Sequence, residues 1–237
     1  MTTSVQTVLE HGPVEVLGLL PFSSNYTFLA RVGDGSSEVH AVYKPRRGER
    51  PLWDFQPGTL AAREMAAYLV SEAADWHLVP PTVLRGDAPL GAGSLQLFID
   101  HDPDRHYFTL MEERPDDFET FVALDVVINN ADRKAGHVLE DAHARLWAVD
   151  HGVSFHVDPK LRTVIWSLAG ERLSVDVRGS LEALGAALAD DAGLGGRLAS
   201  LLSRPEADAT LARLESLLVE NHYPEPGRDR PLPWPLI

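Results

Sequence analysis

Lys44, Glu64, Asp132 and Asp150 occur in an order suited to phosphoryl transfer. Lys44 ends the alternating run Val39-His40-Ala41-Val42-Tyr43-Lys44, just before Pro45. Glu64 lies in the helix-like segment that follows, and Asp132 in the polar loop Asn129-Asn130-Ala131-Asp132-Arg133-Lys134-Ala135-Gly136. Asp150 follows the apolar run Leu146-Trp147-Ala148-Val149 and precedes His151-Gly152. In phosphoryl transfer a protein mainly positions groups and neutralises charge. One carboxylate must sit at the attacking hydroxyl, and another must hold a divalent cation on the phosphates. A lysine must reach the phosphates from the other side. Asp132, Asp150 and Lys44 can fill these places in turn, and Glu64 can pair with Lys44 and hold its rotamer. Taken singly, each is an ordinary strand-end lysine, helix glutamate, loop aspartate or turn aspartate; their order and spacing carry the reading.

The elements that must position them are legible in outline. β-rich runs at 14–17, 26–32 and 39–44, the last two around a Gly/Asp turn at 33–36, predict an antiparallel arrangement. Pro45 cannot donate to a ladder and closes its strand. Ala, Leu, Met and Glu dominate 59–75, a helix with Thr59 at its N-cap. Two more strands are expected at 79–84 and 93–99, completing a small lobe over 1–100. The remainder, 101–237, reads as mainly helical. Asp116 and Glu119 have capping-box spacing ahead of Phe121, Leu124, Val127 and Ile128, which share one helical face. Short strands at 138–139 and 146–149 flank the second aspartate. Helices are expected at 180–189, 197–203 and 206–221, the last with a Ser203/Glu206 capping box. The tail Pro231-Leu232-Pro233-Trp234-Pro235 is held extended by its prolines.

Composition removes whole classes of function. The 237 residues include no cysteine, which excludes disulfides, thiolate metal sites and a cysteine nucleophile. The formal net charge of −14 opposes nucleic acid and anionic bilayers as main partners. No apolar run approaches the roughly 20 residues of a membrane span, and the first residues lack signal-peptide character, so the expected location is cytoplasmic, without a stable membrane anchor. Asp100, Asp102 and Asp104 mimic a calcium loop, but Arg105 and Met111 stand where its glycine and glutamate belong. Gly91-Ala92-Gly93 is a lone G-x-G, better read as a turn.

The loop Asn130-Ala131-Asp132-Arg133, a ligand position five residues after its aspartate, and Val149-Asp150-His151-Gly152 together resemble the phosphatidylinositol 3-/4-kinase superfamily. The nearest flavours are the type II phosphatidylinositol 4-kinases and HipA-like kinases, and the match covers roughly residues 15–155. The last 80 residues resemble those of an actinobacterial kinase-like family. The resemblance implies an α+β, bilobal protein-kinase-like fold with a small β-rich N-lobe and a mainly helical C-lobe. It also implies ATP, Mg or Mn, and a hydroxyl acceptor on a protein or small molecule. By position, Lys44 would contact the phosphates, Glu64 orient it, Asp132 be the catalytic aspartate and Asp150 a metal ligand. Ser23, Ser24 and Asn25 fall on the phosphate loop, here poor in glycine. Gln96, Phe98 and Ile99 fall at the hinge behind adenine, with Leu139 and Val149 as an apolar floor. His137 replaces the usual asparagine ligand. It is either a nitrogen ligand favouring manganese, losing its lone pair below a nominal pKa of about 6.5, or a hydrogen-bond partner of Asp132 or Asp150. Lys134 is either a stabiliser of the transferring group or a surface cation. A nucleotide-binding pseudokinase, a lipid kinase and an AMP transferase are the alternatives.

Overall fold

The computed structural model of the chain describes residues 4–21 and 25–237. Five strands form one antiparallel sheet: β1 (Val14–Leu19), β2 (Phe28–Val32), β3 (Val39–Pro45), β4 (Thr82–Arg85) and β5 (Gly93–Leu97), in the order β1-β2-β3-β5-β4. β3 is central, between β2 and β5, and its last two residues pair with β5. Lys44 pairs with Ser94 and Pro45 with Gly93. Gly93 is required here, because a Cβ would run into the carbonyl of Lys44. The first helix, α1 (Val5–His11), drops Val8 and Leu9 onto the sheet, where they bury with Ala30, Val32, Ala41, Tyr43 and Leu95.

α2 (Leu60–Ala73) follows the loop after β3. Its apolar side does not belong to the sheet core. Ala66, Ala67, Leu69 and Val70 join a larger core formed with α4 (Glu119–Ile128), α5 (Val175–Ala189), α6 (Leu194–Leu201) and α7 (Arg204–Glu220). Arg63, one residue before Glu64, reinforces this attachment. Its Nη1 donates to the Ser154 carbonyl at 2.6 Å, and its Nη2 pairs with Glu206 of α7 at 2.6 Å. A short helix, α3 (Tyr107–Glu113), precedes α4. Two short strands, β6 (Val138–Glu140) and β7 (Leu146–Ala148), form a separate ribbon that ends just before Asp150.

Differences from expectation have local causes. α1 and α3 are only seven residues each, too short for a periodic signal. α4 does not open on an Asp116/Glu119 capping box. Pro115–Phe118 forms a 3-10 turn first, and the neighbouring Asp117 is taken by Arg114 at 2.5 Å. The expected Ser203/Glu206 box does form at α7, with Ser203 N–H donating to Glu206 at 2.9 Å. α5 begins earlier than expected, because Ser174 caps it by accepting from Val177 N–H.

Candidate active site

The sheet, α2 and the end of β7 meet at one ammonium group. Lys44 Nζ donates to Glu64 Oε1 and, at 2.9 Å, to Asp150 Oδ1. Burial disfavours the ammonium, but Asp150 and Glu64 outweigh it and raise the Lys44 pKa. Lys44 in return holds Asp150 well below the usual carboxylate range. Glu64 is buried and Asp150 is 48% exposed, so one carboxylate anchors the lysine from inside while the other keeps a face open. Glu72, the other acid of α2 near its end, pairs with His77 instead.

Asp132 is placed by the residues before it. Asn129 ends α4 in the left-handed conformation, with φ 52°. That conformation suits asparagine better than most residues. Its amide donates to the carbonyls of His156 and Asp158, at 2.9 and 2.8 Å, and its Oδ1 accepts from Lys160 N–H. Asn130 Oδ1 accepts the Asp132 N–H at 3.0 Å. Arg162 brackets the loop, donating its N–H to Asn130 O and accepting from Arg133 N–H. The Asp132 carboxylate is partly exposed and pairs with Lys134 Nζ at 3.1 Å. Lys134 is therefore committed to Asp132 and is not a free surface cation. Burial raises the Asp132 pKa, and Lys134 limits the rise.

Beneath the loop lies a hub that the sequence reading missed. Arg133 is fully buried. Its guanidinium binds Asp125 of α4 at 2.9–3.1 Å, donates to Val149 O at 2.9 Å and meets His151 Nε2 at 2.7 Å. Asn130 and Thr163 donate to the same Asp125 carboxylate. His151 is also buried, and burial together with Arg133 keeps it neutral. Its main-chain N–H donates to Glu64 Oε2 at 3.0 Å. A continuous polar path thus runs from Asp125 through Arg133, His151 and Glu64 to Lys44 and Asp150. The adjacent charges Asp132-Arg133-Lys134 were the only sequence signal of it.

His137 lies beside the second oxygen of Asp150, with Nε2 3.5 Å from Oδ2. Burial pushes its pKa down to about 4, against the pull of Asp150. The imidazole is therefore neutral well below pH 6.5, so the expected loss of its lone pair moves to lower pH. Its Nδ1 accepts from Lys134 N–H at 3.4 Å. That places the ring proton on Nε2, facing Asp150, the tautomer of a hydrogen-bond donor. Ligation through Nε2 requires the proton to move to Nδ1, at the expense of one long hydrogen bond.

The residues expected on the adenine side gather around the end of β5. Ile99, Leu139 and Trp147 form a small apolar cluster, with Leu97 and Val149 packed against it. Leu139 and Val149 therefore do face the residues after β5. Gln96, however, is buried and donates its amide to Thr82 Oγ1 at 2.9 Å. Phe98 N–H donates to His40 O at 2.9 Å, and Ile99 O is occupied by His101 Nδ1. Gln96 is thus tied to β4, Phe98 N–H to β3, and the Ile99 carbonyl locally to His101. Asn25 is likewise committed: its Oδ1 accepts from Arg50 N–H at 2.8 Å, tying its loop to the loop after β3. Ser23 and Ser24 lie outside the described residues.

No family model matches the chain. Its fold is that of solved kinases. The Golgi casein kinase with Mn/ADP bound superposes with a TM-score of 0.56 at 14% identity, over 92% of this chain and 76% of that one. Hydra Fam20 with sugar gives 0.58 at 14% identity, over 91% and 87%. The Helicobacter pylori proinflammatory kinase CtkA gives 0.51 at 8%, over 91% and 94%. The architecture is thus α+β and protein-kinase-like. In sequence the chain is 39% identical to Protein Rv2133c of Mycobacterium tuberculosis, over 96% of this chain and 94% of that protein. With that identity over nearly the whole of both chains, this protein belongs to the same family as Protein Rv2133c.

Proposed function

We propose that the chain is an ATP-dependent phosphotransferase of the phosphatidylinositol 3-/4-kinase-like superfamily, acting on a hydroxyl of a protein or small molecule. The observation that carries this reading is the convergence on Lys44 of Glu64 from α2 and Asp150 from the end of β7. In this reading residues 1–100 form the nucleotide-facing lobe and 101–237 the catalytic one. Lys44 binds ATP phosphates, Glu64 and His151 hold it, and Asp132 orients the acceptor hydroxyl and takes its proton. Lys134 restrains the Asp132 carboxylate and faces the transferring group.

The residues present fit a divalent cation carried in by phosphates. Among the described residues no three His, Asp or Glu side chains close on a point. Asp150 with a neutral His137 instead offers two donors, leaving the other positions to phosphate oxygens and water, as magnesium sites on nucleotides do. Bound there, the cation would neutralise phosphate charge. AMP transfer would need the nucleotide reversed, and product mass separates it from phosphate transfer. Among the described residues no helix is long and apolar enough to cross a membrane. The acidic net charge weighs against a lipid headgroup as acceptor. A nucleotide-binding pseudokinase is the second reading, favoured by the committed Asn25 and a glycine-free loop.

The test is nucleotide binding and ATP turnover in the wild type and two variants. Lys44→Met should weaken ATP binding or turnover roughly 10- to 100-fold, the worth of a charge-assisted contact. Glu64→Gln should act in the same direction and less, through the lysine. Wild-type binding without turnover in either metal would favour the pseudokinase, and unaltered calorimetry in Lys44→Met would remove the lysine from the site.

His137 decides the metal. If it ligates, initial rates should be higher with Mn²⁺ than with Mg²⁺, since imidazole suits manganese better. His137→Asn, which restores an oxygen donor, should then shift the ratio towards Mg²⁺. An unchanged ratio identifies His137 as a hydrogen-bond donor to Asp150 only.

A further inference from the structure

The catalytic loop is held from outside by a distant piece of chain. Ala135 lies between Lys134 and His137 and is fully buried, and its N–H donates to the carbonyl of Leu236 at 2.8 Å. Thr163, also buried, donates its N–H to Pro231 O at 3.1 Å, and Trp166 Nε1 reaches the same oxygen at 3.2 Å. Thr163 follows Arg162, whose main chain brackets Asp132 between Asn130 and Arg133. Leu236 packs against the helical core, and Ile237 Cγ2 lies 3.8 Å from where a Cβ on Gly136 would sit. One segment therefore satisfies buried donors in the loop after Asp132 and in the stretch after Arg162.

The composition of that segment suits the task. Pro231, Pro233 and Pro235 alternate with other residues, and each lacks an N–H. Proline fixes φ, which lowers the entropy lost on docking, although the tail bends at Leu232, Trp234 and Pro235 instead of running extended as its composition predicts. The result is a restrained segment whose Pro231 and Leu236 carbonyls accept from buried donors. Buried N–H groups left without acceptors are costly, so a loop without this segment relaxes to find others.

We propose that residues 231–237 are a positioning strap for the catalytic loop, acting through Ala135 and Thr163 to set Lys134 and Asp132. This rests on the phosphotransferase reading. The residues that bind the ATP phosphates in that reading lie on β3, α2 and the end of β7, which the strap does not touch in these contacts. Its loss should therefore act on turnover and spare ATP affinity. A misplacement of about 1 Å in a reacting constellation can cost roughly 100-fold.

The experiment compares the full chain, a variant lacking residues 231–237, and Leu236→Ala. ATP turnover is measured with water as the default acceptor, and amide hydrogen exchange across 133–137 and 161–166. The expected result is faster exchange confined to those two stretches, with kcat lowered about 10- to 100-fold and the ATP KM within about twofold. A synthetic peptide of residues 228–237 should restore both to the shortened chain. Should the shortened chain not fold, Leu236→Ala alone must show the split between kcat and KM. Unchanged kcat, or kcat and KM falling together with global exchange, overturns the strap. A wild type that turns over no ATP defeats the phosphotransferase reading instead, and the exchange pattern still shows whether the strap holds the loop.

Discussion

Asp150→Asn should give a folded protein that has lost phosphate transfer by roughly 10³-fold or more. The loss follows from removing a charge aimed at the phosphates and their cation. The fold should survive for two reasons. Asparagine is nearly isosteric, and Asp150 has φ 62°, a left-handed conformation that asparagine adopts more readily than most residues. The substitution also takes one of two anions from Lys44, leaving Glu64 as its partner. Calorimetric titration of the variant with Mn²⁺ and ATP should show weakened metal-dependent binding. A metal titration that matches the wild type would place the cation elsewhere.

Asp132→Ala should act on the rate, lowering turnover on the order of 10² to 10⁴-fold with the ATP KM little changed, as loss of a general base does. Its carboxyl is pushed above the ordinary value by burial and restrained by Lys134. The rate should therefore fall on the acid side as Asp132 is protonated. Lys134→Met removes the restraint, which raises the Asp132 pKa further and moves the acid limb to higher pH. If Asp132→Ala lost ATP binding and kept its rate per bound ATP, the assignment of roles would be reversed.

The sequence displayed the parts of this site that depend on local order. A lysine before a strand-ending proline, a glutamate one helix later and two aspartates around a short ribbon could be placed because each is marked by its immediate neighbours. The structure brings Lys44, Glu64 and Asp150 into direct contact, and Asp132 beside Lys134. What stayed hidden depends on pairing across distance. Nothing near Arg133 announces that Asp125 and His151 converge on it, because Asp125 looks like one more polar residue of an amphipathic helix. That Gln96 bonds Thr82 and that Phe98 N–H reaches His40 likewise depends on the strand order, which no local pattern announces. His151, one of ten histidines, could not be told from the surface ones without its burial.

The attachment of α2 limits how such a molecule can be controlled. Swinging this helix outward to break the Lys44–Glu64 pair would expose Leu69 and Val70, at roughly 1.5–3 kcal/mol each, before counting its alanines. It would also pull Arg63 away from the Ser154 carbonyl and from Glu206, leaving those acceptors without their partner. Two-state elements that respond to ligands differ by only a few kcal/mol. The helix is therefore a fixed post rather than a lever. An effector that silences the site by that route must work on the sheet edge or the loop after β3, and compounds selected to displace the helix should find no purchase.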